Sequence, residues 1–188
     1  LIDGKGEKSG GTEQVTTDRT KQIEMATEFL SFIDAKEYLF AFGTGYHVGH
    51  EEDWESIIAN EFHTKAEDVV TKDVNGLCMK WRHHISNSVN AMIKQQENDI
   101  KWSINGEFEK ADVMIFGHVH HYEAHVNRFG TVIVSPSLQG LGGSQLGSRR
   151  MGGIVDYGLL HFDVKSREEW SWKAHLLTHT PAVRVGVL

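Results

Sequence analysis

Hydrophobic positions recur along this chain with two periods, and the switches between them mark out the elements. Residues 1–16 carry neither period; they are polar and glycine-rich and read as an exposed lead-in. From Thr17 or Asp18, either of which can cap a helix, Ile23, Ala26, Phe29, Leu30 and Ile33 share one stripe as far as about Ala35. Glu37–Phe42 is a short apolar run, expected as a buried strand. Glu51–Phe62 returns to the helical period with acids in its first turn, where negative charge suits the helix dipole. Asp68–Lys72 and Leu77–His84 are strands around Asn75-Gly76, a strong hairpin signal. Ser86 or Asn87 caps the next helix, to about Trp102, with Val89, Met92, Ile93 and Ile100 facing the core and Asn105-Gly106 ending it. Val113–Phe116 is a buried strand stopped at Gly117, and after a short return Gly130–Ser135 is the next. Ile154–Val164 and Glu169–Thr178 alternate as an antiparallel hairpin turning at Lys165–Arg167. Trp170 and Trp172 then share one face, as sheet core rather than as a platform for stacking bases.

Composition narrows the picture. The 188 residues fit one domain, with no internal repeat and no linker, and 39% hydrophobic with 24% charged residues is ordinary for a globular chain. A formal charge of −7 gives no general drive toward nucleic acid, so any polyanion contact must be local or carried by metal. A lone cysteine, Cys78, rules out an internal disulfide and fits a reducing compartment. No membrane-spanning run and no signal peptide is visible, so a cytoplasmic location is expected.

The candidate chemistry lies in histidines. Of 12, six fall in three tight groups, His47 with His50, His83 with His84 and His118 with His120, each after a run that reads as a strand. A site at the carboxyl ends of sheet strands has this signature, and neutral imidazole is the commonest protein metal ligand. Alternation along a strand turns His83 and His84 to opposite faces, so only one of them can face a shared metal. His121 and His125 are expected at the rim or in a hairpin, and His161, His175 and His179 as structural or exposed residues. The loop Gly140–Gly153 carries Arg149-Arg150, which can clamp phosphate oxygens if it lies beside the site and is otherwise a solvated loop. It lacks the ending of a Walker loop.

Gly117-His118-Val119-His120 after a hydrophobic strand resembles the last metal-binding block of the calcineurin-like metallophosphoesterases, and Thr131–Ser137 (TVIVSPS) resembles the strand and turn that follow it. His83-His84 is similar to the block before, and Phe42–His47 takes the place of the family's Gly-Asn-His block. The run is most similar to phage or prophage members. The resemblance implies an α/β fold, α+β by strand order, of layered mixed β-sheets flanked by helices. It implies two divalent metal ions (Mn, or Zn, Fe or Mg), a phosphate ester substrate, nucleic acid or nucleotide among the candidates, and hydrolysis by metal-activated water. On this pattern His83, with His84 as the alternative, and His118 hold one metal, His120 the other, and His47 is the catalytic acid. The family's asparagine is absent; Tyr46 or Thr44 stands in its place, and Thr44 is a weak ligand or a substrate contact.

The family's Asp-x-His and Gly-Asp blocks are also absent, and the opening Leu-Ile-Asp-Gly resembles the residues that directly follow Gly-Asp. The expectation is a chain beginning just after the bridging aspartate. Its first strands would be missing, its activity alone weak or nil, and one sheet edge left for a further copy or chain to cover. Three readings follow: a metal-dependent phosphoesterase, a degenerate non-catalytic phosphoesterase fold serving as a binding or structural component, and a mononuclear zinc hydrolase or zinc-stabilised domain. The first is preferred.

Overall fold

The computed structural model describes residues 15–43, 53–83, 89–138 and 156–177. Among these, the elements are α1 (Arg19–Ile33), β1 (Phe40–Ala41), α2 (Trp54–Glu61), β2 (Ala66–Glu67), β3 (Val70–Val74), β4 (Leu77–Arg82), α3 (Val89–Ile104), β5 (Val113–Phe116), β6 (Glu123–Asn127), β7 (Gly130–Val134), β8 (Tyr157–Val164) and β9 (Trp170–Leu177). The centre is a five-stranded mixed sheet in the order β3-β4-β5-β7-β6. Its inner strands β4, β5 and β7 run parallel, and antiparallel β3 and β6 flank them. This is a mixed α/β architecture, α+β by strand order.

A central strand with both faces covered must be apolar throughout, and all four residues of β5 are buried. Met114 and Phe116 join Met92 of α3, Val132 and Val134 on one face. On the other face Val113, Ile115, Ile133, Leu77 and Met79 meet Leu160, Phe162, Val164, Trp170 and Trp172 of the β8–β9 hairpin. Trp170 and Trp172 stack at 5.6 Å and belong to this core, as their shared parity predicts. The hairpin is tied down near its turn, where Asn75 Nδ2 donates to the Val164 carbonyl (2.7 Å) and Arg167 donates to Asp112 (2.8 Å). Asn75 and Gly76 both have positive φ (53° and 86°), as the expected tight turn requires.

Several expectations are corrected. The strand expected over Glu37–Phe42 is only Phe40–Ala41, and β1 pairs with β2, a strand the pattern did not predict, in a separate two-stranded parallel sheet. These two strands, α1 and α2 gather around Ala26, Phe40, Ile58 and Ala59. The α1 stripe is narrower than expected: Phe29 and Ile33 are about half exposed, because only Ala26 and its half-buried neighbours Ile23 and Leu30 meet α2 and β1. Asp18 caps α1, accepting from the Thr20 and Lys21 amides, and the helix stops at Asp34 in the left-handed region. The short return after Gly117 is strand β6, whose exposed Ala124 and Val126 blur the alternation that marks a strand. Along α3 the buried line is Met92, Gln96 and Asp99 rather than a purely apolar one. Gln96 accepts from Asn127 (2.7 Å) and Asp99 meets Lys80 (2.5 Å), so their polar atoms are satisfied. Its expected caps, Ser86 and Asn87, and the side chain of Val89 lie outside the described residues. Among the described residues no helix is long and apolar enough to cross a membrane.

Candidate metal centre

The parallel register fixes the site. Arg82 and Phe116 are partners at the carboxyl ends of β4 and β5, so the residues that follow them, His83 and Gly117, emerge side by side. The Gly117 amide donates to the His83 carbonyl at 3.0 Å, which continues the ladder one step beyond the strands. A Cβ on Gly117 would stand 3.7 Å from His83 Nδ1 and 3.8 Å from Ser135 Oγ, so this glycine lies between the imidazole and the Ser135–Ser137 turn. That turn is itself fastened to β5 by the Ser135 amide donating to the Phe116 carbonyl (2.7 Å).

Beyond Gly117 the backbone leaves strand geometry. His118 and His120 have φ of 77° and 60°, the left-handed region, on either side of buried Val119. For non-glycine residues that conformation costs about 1–3 kcal/mol each and persists where the surroundings over-determine it. His118 Nδ1 comes 3.2 Å from Nε2 of His83, just past the end of β4, the two rings edge-to-face with centroids 5.1 Å apart.

Two imidazole nitrogens at that separation have two physical interpretations. One is a hydrogen bond, in which one ring carries the proton and the other accepts it. The other is a shared cation: nitrogens each about 2.05 Å from one zinc and held at this spacing subtend roughly 100°, close to tetrahedral. The donor chemistry and the bite both fit a divalent transition metal. Among the described residues no group of three or more His, Cys, Asp or Glu forms a set that could hold a metal.

His83 and His118, expected to share one metal, stand side by side, and His120 sits two residues on in the same turn, its carbonyl accepting from the Asp156 amide at 2.9 Å. His84, His47, Thr44, Arg149 and Arg150 lie outside the described residues. His121 departs from its expected place at the rim. It is buried, 6% exposed, with Nδ1 against the Val119 carbonyl (3.2 Å) and Nε2 near Glu123 (3.4 Å), so it holds the turn from within. His125 is half-buried on β6, and His161 and His175 are exposed on the outer face of the hairpin.

Sequence reasoning missed Asp156. Its carboxylate accepts from the Tyr122 amide at 2.6 Å, its amide donates to His120, and its carbonyl accepts from the Ser137 amide at 2.8 Å. No spacing rule points to a lone aspartate at the head of a strand 34 residues from the amide it binds.

No family model matches the sequence, and no curated protein matches it. Solved structures with some likeness include Vacuolar Protein Sorting 29 from Cryptosporidium parvum (11% identity, covering 95% of this chain and 97% of that one, TM-score 0.47). A novel archaeal phosphodiesterase matches at 14% identity over 85% of this chain and 95% of its own, with a TM-score of 0.40. Vps29 from Entamoeba histolytica complexed with zinc matches at 11% over 60% and 61%, TM-score 0.37. Likeness at this level says nothing about activity.

Proposed function

We propose that the protein is a metal-dependent phosphoesterase in which His83 and His118 hold one divalent cation at the carboxyl ends of β4 and β5. The 3.2 Å approach of His83 Nε2 to His118 Nδ1 carries this reading. Two residues 35 positions apart meet there by parallel strand register and by a left-handed turn that is costly unless held in place. A divalent cation held by them would supply Lewis acidity and would lower the pKa of a water, so that hydroxide is available as a nucleophile near neutral pH. The chain's own part is to fix the two nitrogens, to keep Gly117 without a side chain beside them, and to set the Ser135–Ser137 turn against them. His120 is proposed for a second cation, His84 as the alternative to His83, His47 as the proton donor to the leaving group, and Thr44, Arg149 and Arg150 as contacts to the phosphate ester. Imidazole donors suit zinc or iron better than magnesium or manganese, which prefer oxygen ligands.

A second reading, a phosphoesterase-like domain that binds without catalysis, is favoured by one observation: among the described residues no acidic side chain joins the pair to bridge two cations. One experiment addresses both. Co²⁺ and Zn²⁺ affinities of wild type, His83→Ala and His118→Ala are measured by chelator competition, with hydrolysis of a phosphodiester and a phosphomonoester under Mn²⁺, Zn²⁺ and Co²⁺. A cation bound by wild type, and at least about tenfold more weakly by each variant, supports the metal site. Hydrolysis lost in the same variants makes it an enzyme. Binding without hydrolysis favours the second reading, and equal affinity in all three proteins refutes the site.

A further inference from the structure

We infer that Asp156 is the positioning residue of this centre, acting on the cation through the backbone of the His118–His120 turn; the inference rests on the assignment of His83 and His118 as ligands. The left-handed φ values of His118 and His120 are what bring the His118 ring back to His83, and neither residue is a glycine that would adopt them freely. Something outside the turn must hold it. Residue 156 does so on both sides of His121: its amide donates to the His120 carbonyl (2.9 Å) and its Oδ2 accepts from the Tyr122 amide (2.6 Å). Its carbonyl also accepts from the Ser137 amide, and the Ser137 carbonyl accepts from the Gly158 amide, so the same residue joins the GHVH turn to the SPS turn.

The clamp has a firm base. Asp156 directly precedes β8, and the β8–β9 hairpin is packed on the sheet through Phe162, Trp170 and Trp172. Trp172 Nε1 also donates to the Tyr122 hydroxyl (3.0 Å), so the residue whose amide Asp156 receives is held by the hairpin at its side chain too. A hydrogen bond from an amide to a carboxylate is stronger than one to a neutral acceptor, which suits a bond that must hold a backbone in a disfavoured conformation. The hairpin therefore does more than cover the sheet: the residue that leads into it reaches across and sets where the His118 imidazole stands. Outer-shell contacts of this kind tune metal affinity.

The test uses the full chain with Asp156→Ala, which removes the acceptor, and Asp156→Asn, which keeps an oxygen where the Tyr122 amide needs one. Two properties are read: Co²⁺ affinity, and, in the metal-free protein, exchange of the Tyr122 amide with backbone NMR shifts of His118–His120. For Asp156→Ala we expect Co²⁺ affinity lower by about 10- to 100-fold. Its Tyr122 amide should exchange at least about tenfold faster, with shifts changed across the turn, as a lost hydrogen bond of about 1.4 kcal/mol implies. Asp156→Asn should stay within about threefold of wild type on both readouts. Far-UV circular dichroism checks folding, and Asp156→Ser, whose hydroxyl falls short of Tyr122, replaces the alanine variant if that does not fold. Unchanged turn signals and amide exchange in Asp156→Ala overturn the inference. So does a loss of Co²⁺ affinity in Asp156→Asn equal to that in Asp156→Ala with the turn intact, because the carboxylate would then be a direct ligand. If wild type binds no Co²⁺, the metal assignment fails and this inference with it, although the metal-free exchange would still show whether the clamp exists.

Discussion

Asp99 of α3 is 3% exposed, and removing its carboxylate should be among the most damaging single changes in the protein. Oδ1 meets the Lys80 ammonium at 2.5 Å and Oδ2 accepts from the Ala111 amide at 2.7 Å. Lys80 in turn donates to the Glu109 carbonyl and lies over the Phe108 ring at 5.8 Å. In Asp99→Ala the ammonium, 6% exposed as a residue, stays buried without its counter-charge, and the Ala111 amide loses its acceptor. Breaking a buried pair from one side costs about 3–5 kcal/mol, a figure that includes the stranded charge. With about 4 kcal/mol lost from a domain that has about 5–15, the variant should fold with a unfolding midpoint lower by roughly 8–16 °C. The assay is thermal and urea unfolding of wild type, Asp99→Ala, Lys80→Met and Lys80→Met/Asp99→Asn. The last should recover most of the loss, since asparagine still serves the Ala111 amide and no charge is stranded, and coupling between the sites should reach about 2–3 kcal/mol. A loss below about 1 kcal/mol in Asp99→Ala, or sites that merely add, would refute the claim that this pair fastens α3 to β4 and to the start of β5.

Further outcomes follow from single positions. In Gly158→Ala the new Cβ would stand 2.0 Å from the His175 carbonyl oxygen, so β8 and β9 must separate; a loss of about 3 kcal/mol in urea unfolding is expected. At Gly117 the nearest atoms to a new Cβ are 3.6–3.8 Å away, an ordinary contact. Gly117→Ala should therefore keep Co²⁺ affinity within about threefold, whereas the extra methyls of Gly117→Val press on His83 and should lower it at least about tenfold. Burial, with Glu109 adding to it, holds the Cys78 thiol above its ordinary pKa of 9.0. The folded chain then keeps a proton that the unfolded chain releases, so this contribution is complete below about pH 9 and declines as pH rises above it. The decline should be shallower in Cys78→Ala, and alkylation of Cys78 in the native protein should follow global unfolding, since the residue is 2% exposed.

The chain's own periods were enough to place most of the central sheet. Val113–Phe116 is apolar at every position, which requires cover on both faces, and Asn75-Gly76 dictates a tight turn; both are local properties that survive whatever surrounds them. That His83 and His118 would both lie near the carboxyl ends of sheet strands was also within reach, because each follows an apolar strand and parallel strands deliver their ends together. Other features depend on partners distant in sequence. Gln96 and Asp99 look like surface residues of a helix until Asn127 and Lys80 come to face them. His121 reads as a rim residue until the Val119 carbonyl and Glu123 close around it. The left-handed turn at His118–His120 is contrary to the local preference of its residues, so no local rule can predict it. It exists because Asp156, brought in by a hairpin that packs through its tryptophans, bonds the backbone on either side of His121, a relation that only the folded chain contains.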